Sequence, residues 1–124
     1  MKLNVIIGSG VNADGFDTII QDGDSIVQKD SWYYGYNCSY DRAFASPRSP
    51  YVADVLQDLI DRHHVDEFDV SPGKDMFHDR PVSTERAEEF RARHCSGLKL
   101  SEGLSFADAV ASIPGDGAEM GQQA

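Results

Sequence analysis

Basic residues are scarce in this chain: 11 Lys and Arg stand against 21 Asp and Glu, for a net charge of −10. A field of that sign repels phosphate backbones and anionic lipid, and it attracts basic surfaces. Direct nucleic-acid binding and membrane-surface binding are therefore not expected. Long apolar runs are missing as well. Nothing approaches the roughly 18 residues of a membrane span. The N-terminal "MKLNVIIGSG" holds only the run Val5, Ile6, Ile7, whereas a secretory signal needs roughly 7–15 apolar residues. A cytoplasmic protein is the expectation. Cysteine is limited to Cys38 and Cys95, which in a reducing compartment are expected as free thiols. Metal-ligand spacing is absent too: Cys38, His63, His64, His78, His94 and Cys95 contain no C-x-x-C or H-x-x-x-H pair. Adjacent His63 and His64 diverge by about 100° on a helix, so at most one could serve a shared ion. The expectation is a protein with no metal and no cofactor.

What is present is enough for one domain. The 124 residues are 40% hydrophobic, and a chain of that length buries a core without staples. Residues 1–113 read as a single α+β domain, and 114–124, "GDGAEMGQQA" with the preceding proline, as a disordered tail without apolar periodicity. The N-terminal third reads as an antiparallel sheet of about four strands. "KLNVII", "FDTIIQ" and "SIVQK" are apolar runs separated by "NADG" and "DGD", turn chemistry that favours hairpins. A further strand is expected over "DSWYYGYNCSYDR", where Trp32, Tyr34, Tyr36, Cys38 and Tyr40 alternate with Ser31, Tyr33, Gly35, Asn37 and Ser39. Period-two alternation makes the Trp32 face a core wall and leaves Tyr33 on the outer face as a candidate interface anchor.

Two to three helices follow, packed on one face of the sheet. The first is expected to open with Ser49 as N-cap and Pro50 at its first position. It buries Val52, Val55, Leu56, Leu59 and Ile60 and ends at "RHH", residues 62–64. A short strand is expected near Glu67–Val70. A second helix runs from about Thr84 to Cys95, capped by Ser83 and stopped by Gly97, and a short third from Phe106 to Ile113, with Ser105 and Asp108 as a capping box.

Two local patterns suggest enzyme or cofactor chemistry. Gly8-Ser9-Gly10-Val11-Asn12-Ala13 fits G-x-G-x-x-A after a strand, as in dinucleotide-binding turns. The turn-forming Asn12, Asp14 and Gly15 leave no room for the helix that motif requires, so a glycine-rich hairpin turn is the better reading. Cys38 with a distant histidine leaves a small enzyme open as an alternative. Cys95 beside His94 does not, because neighbours on a helix diverge. A metal-stabilised or self-associating structural protein is a third reading.

The charge itself carries the preferred reading. Residues 50–79 hold eight acids against Arg62 and Lys74. On the first helix Asp54, Asp58 and Asp61 recur at four and three residues, opposite the apolar stripe and roughly 5–6 Å apart. Asp66, Glu67 and Asp69 follow directly. Carboxylates at that spacing imitate successive phosphates, set about 7 Å or less apart. The competing reading is a solvated helix face, with Arg62 pairing Asp58. In size and charge, though in no motif, the chain resembles the small acidic inhibitors of phages and mobile elements, including DNA mimics and anti-CRISPR proteins. That resemblance implies a non-enzymatic protein that occludes a basic, nucleic-acid-handling surface of a partner.

Overall fold

The structure is a computed structural model. It describes residues 1–8, 15–32, 49–74, 79–101 and 105–106, and the backbone of 35–37 and 42–44. The fold is α+β. Strands β1 (Lys2–Ile7), β2 (Phe16–Asp22), β3 (Ser25–Trp32), β4 (Gly35–Asn37) and β5 (Arg42–Phe44) precede helix α1 (Val52–His63), strand β6 (Glu67–Pro72) and helix α2 (Thr84–His94). The main sheet has four strands in the order β3-β2-β1-β6, and β4 and β5 form a separate pair.

The expected antiparallel sheet is mixed. β1, β2 and β3 pair antiparallel, as their turns require, but β1 and β6 are parallel, in register from Lys2↔Glu67 to Ile7↔Pro72. α1 is the crossover that returns the chain to β1 in parallel sense. The junction is fastened by the Asp66 and Glu67 amides, which donate to the Met1 carbonyl at 2.9 and 3.3 Å. The Gly73 amide extends the pairing by donating to the Ile7 carbonyl at 2.7 Å. On the outer edge of β6, Arg91 of α2 donates to the Val70 carbonyl at 2.6 Å.

Alternation sorts the two faces. Leu3, Val5 and Ile7, then Phe16 and Ile20, then Trp32, then Phe68 and Val70 all point into the core. They meet Val52, Val55, Leu56, Leu59 and Ile60 of α1 and Ala87 and Phe90 of α2. Phe16 and Trp32 are cross-strand partners whose rings stack at 6.1 Å, and Phe90 tilts onto Phe16 at 5.3 Å.

The aromatic stretch divides where a single strand was expected. "SIVQK" and "DSW" are one strand, β3, and β4 is a separate, shorter one. The polar run Gln28-Lys29-Asp30 hides the continuity, because Gln28 and Asp30 occupy the same inward face as Trp32. The side chains of Tyr33, Tyr34, Tyr36, Asn37, Cys38 and Tyr40 lie outside the described residues, as do the 114–124 tail and the third helix beyond Phe106.

Helix starts differ by cap chemistry. Ser83 caps α2 as expected, accepting from the Arg86 amide. α1 begins later than expected, at Val52 with Tyr51 as N-cap. Ser49 still accepts from the Tyr51 amide at 3.2 Å, in a lead-in turn that carries Pro50. At its other end His64 adopts φ 53°, ψ 48°, and the Val65 amide returns to the Ile60 carbonyl at 3.0 Å, the 6→1 bond of a Schellman closure.

Gln57 ties the next segment to α1. Its side-chain amide donates to the Lys99 carbonyl and accepts from the Lys99 amide, both at 2.9 Å, as a strand neighbour would. Gln57→Ala is expected to lower stability by about 1 kcal/mol, a drop in Tm of about 4 °C. A melting curve unchanged by the substitution would show that the 98–101 segment is held by packing alone.

Candidate functional site

Five residues of the α1 stripe face the sheet, which turns Asp54, Asp58 and Asp61 outward. These positions fall within about 60° of one another around the helix. Asp54 and Asp61 are exposed. Asp58 is half-exposed and pairs with Arg62 at 3.2 Å, the i, i+4 pair expected of a solvated face. Asp61 accepts from the Gln57 amide at 3.0 Å. Beside Asp54 lies a depression of about 290 Å³, bounded by Ala53 and Gln57 of α1 and by Arg93, His94, Ser96, Gly97 and Leu98 at the end of α2. Arg93 therefore brings a cation to the N-terminal end of the row.

The remaining acids are not all on that face. Asp66 follows the end of α1, with its Oδ1 3.3 Å from the Met1 amino group. Glu67 and Asp69 alternate with buried Phe68 and Val70, so they point to the sheet face opposite the helices. Their register neighbours on β1 there are Lys2 and Asn4. The structure thus brings Asp54, Asp58 and Asp61 together and turns Glu67 and Asp69 away from them. Tyr33 lies outside the described residues.

A second polar cluster lies on the inner face. Asp30 is only 5% exposed, and its Oδ2 accepts from Gln28 Nε2 at 2.6 Å. Thr18 stands directly across on β2 and accepts from Trp32 Nε1 at 2.9 Å. From the helix side, His63 approaches with a buried Nε2 that has no hydrogen-bond partner among the described residues. Burial chiefly, helped by Arg62, holds this imidazole below its ordinary pKa, while the charges of Asp30 and Asp58 pull the other way. A signal for the cluster was present in the sequence. His63 stands four residues after Leu59 and seven after Leu56, in phase with the stripe, and Asp30 stands two before Trp32, on the same strand face.

The thiol, histidine and glycine patterns find ordinary structural places. Cys95 is fully buried, and burial pushes its thiol up to about 12 despite the nearby Arg91. His94 is buried with its ring edge-on to Phe90 at 4.8 Å. Cys38 and His78 lie outside the described residues. Among the described residues, no three His, Cys, Asp or Glu side chains converge as a metal site would require. Gly8 has φ +132°, and a Cβ there would lie 2.6 Å from Val82 Cγ2. The chain passes from β1 to its antiparallel neighbour β2, with the Gly8 amide donating to the Gly15 carbonyl at 3.0 Å. Residues 9–14 lie outside the described residues; the next described element is a strand antiparallel to β1, whereas a dinucleotide-binding unit continues into a helix and a parallel strand. No described helix is long and apolar enough to cross a membrane.

No protein-family model matches the chain, and no curated protein or solved structure is significantly similar to it.

The Cys95 environment has a direct consequence. In a Cys38→Ser variant, the remaining thiol is expected to resist an aromatic disulfide reagent at pH 8 and to react only on unfolding in guanidinium. Rapid stoichiometric reaction of the native protein would contradict the burial.

Proposed function

We propose that the protein is a small non-enzymatic binding protein whose α1 surface docks on a basic, nucleic-acid-handling surface of a partner protein and occludes it. The row Asp54, Asp58, Asp61 on the solvent side of α1 carries this reading. Neighbouring carboxylates repel and cost the helix a few tenths of a kcal/mol per pair. Of these only Asp58 has an ion pair among the described residues, with Arg62. A helix holds the row straight and fixes its spacing near that of backbone phosphates, as imitation of a nucleic-acid strand requires. Asp66, whose Oδ1 lies 3.3 Å from the Met1 amino group, adds its charge beyond the helix end without joining the row. Glu67 and Asp69, on the other face, add to the long-range field that speeds encounter and do not join the same contact surface. Occlusion by such a row needs no cofactor, no metal and no bond chemistry.

The test is a salt series against a panel of basic nucleic-acid-binding proteins, with duplex DNA as competitor for the captured partner. Affinity is expected to fall steeply with ionic strength, and DNA to compete. The combined D54K, D58K, D61K variant is expected to lose about 100-fold or more in affinity with little change in Tm. An E67K, D69K pair is expected to slow association and leave dissociation nearly unchanged. A triple-lysine protein that still binds its partner would defeat the proposal.

A further inference from the structure

The Asp30–His63 cluster is unused by the acidic face, and nothing in the packing of a simple core calls for it. A leucine or isoleucine at position 63 would continue the stripe of Leu56, Leu59 and Ile60. Instead a titratable ring stands there, with Nε2 closed off from water and bonded to no described group. Among the charges that act on it is that of Asp30, a carboxylate on the inner face of β3, 5% exposed and already held by Gln28 at 2.6 Å. We propose that His63 and Asp30 form a proton-operated catch between the last turn of α1 and strand β3: the neutral imidazole keeps the turn packed, and a proton on it releases the turn.

The chemistry favours release over tightening. An imidazolium carries two N–H donors, and its buried nitrogen has no acceptor among the described residues. The charged groups acting on it are Arg62 and His64, which repel, and Asp58 and Asp30, which attract. Burial and Arg62 prevail over the two carboxylates. The unfolded or locally opened chain takes its proton near pH 6.5, the ordinary value, and the packed ring only at lower pH. The open form therefore binds more protons, so the packed turn loses stability as pH falls through about 6.5 and the loss levels off below the packed-state value. The affected region is a junction. His64 closes the helix, Val65 bonds back to Ile60 at 3.0 Å, and the Ser101 amide reaches the Val65 carbonyl at 2.8 Å. Opening there would loosen β3 and the 98–101 segment together.

The experiment is hydrogen exchange on the whole chain, expressed as protection factors so that the intrinsic pH dependence of exchange cancels. Between pH 7.5 and 5.5 the peptides covering 59–66 and 28–32 are expected to lose protection, by up to about tenfold, the ceiling set by lying one pH unit below the open-state value of about 6.5. A His63→Leu variant is expected to lack that step, and His64→Asn, an exposed change that tolerates the left-handed backbone, to retain it. An Asp30→Asn variant, which lacks the charge that raises the packed-state value, is expected to keep the onset near pH 6.5 and to lose more protection at lower pH than the wild-type protein. A His63→Leu protein with the wild-type step, or a step that disappears in His64→Asn, would overturn the proposal. Should a variant fail to fold, ring-proton NMR of the wild-type protein decides: a His63 midpoint at or above 6.5 overturns it, and one below supports it.

Discussion

The rotational setting of α1 on the sheet is the constraint from which the rest follows. Val52, Val55, Leu56, Leu59 and Ile60 are all fully buried, each burial contributing roughly 1.5–3 kcal/mol. Turning the helix by a third of a revolution would expose most of that surface. With the stripe fixed inward, Asp54, Asp58 and Asp61 have only solvent to face. Gln57 is left on the flank, where it pairs with Lys99, and His63 is carried to the inner side, within reach of the Asp30 charge. The outward row, the flanking amide and the inward imidazole come from one choice of helix phase.

The parallel pairing of β1 with β6 has a second sorting effect. It demands a crossover on one side of the sheet, and α1 with α2 makes that side the core. Glu67 and Asp69 follow Asp66 immediately in sequence, yet the strand's period of two sends them to the far face. A run that looks like one continuous acidic pole on paper is divided by a sheet. The proposed docking surface narrows to the helix, and the remaining charge is left to act at a distance.

Much of this was legible before the structure. Strands β1 and β2, the α1 stripe, the Ser83 cap and the Asp58–Arg62 pair all follow from spacing and side-chain chemistry that act within a few residues. What was not legible depends on partners far along the chain. Nothing within Glu67–Pro72 says that it pairs with Lys2–Ile7, still less that it does so in parallel. The sequence divides β3 at Asp30 because half-buried Gln28 and buried Asp30 look like surface residues until Thr18 and Trp32 are placed beside them. His63 falls in the helix-ending "RHH" by sequence, although its phase already puts it on the stripe. Local patterns cannot report the cost of burial at the site where a side chain comes to rest.

Carboxyl footprinting tests that sorting most directly. The folded protein would be coupled to an amine with carbodiimide at neutral pH, and the modification rate of each Asp and Glu read by mass spectrometry. The account requires Asp54 and Asp61 to react fast, Asp58 to be slowed by Arg62, Glu67 and Asp69 to react as exposed groups, and Asp30 to stay protected until the protein unfolds. If Asp30 reacts as fast as Asp54, or if Asp54 and Asp61 are protected, then α1 does not sit on the sheet in this phase, and neither the acidic face nor the His63 catch survives.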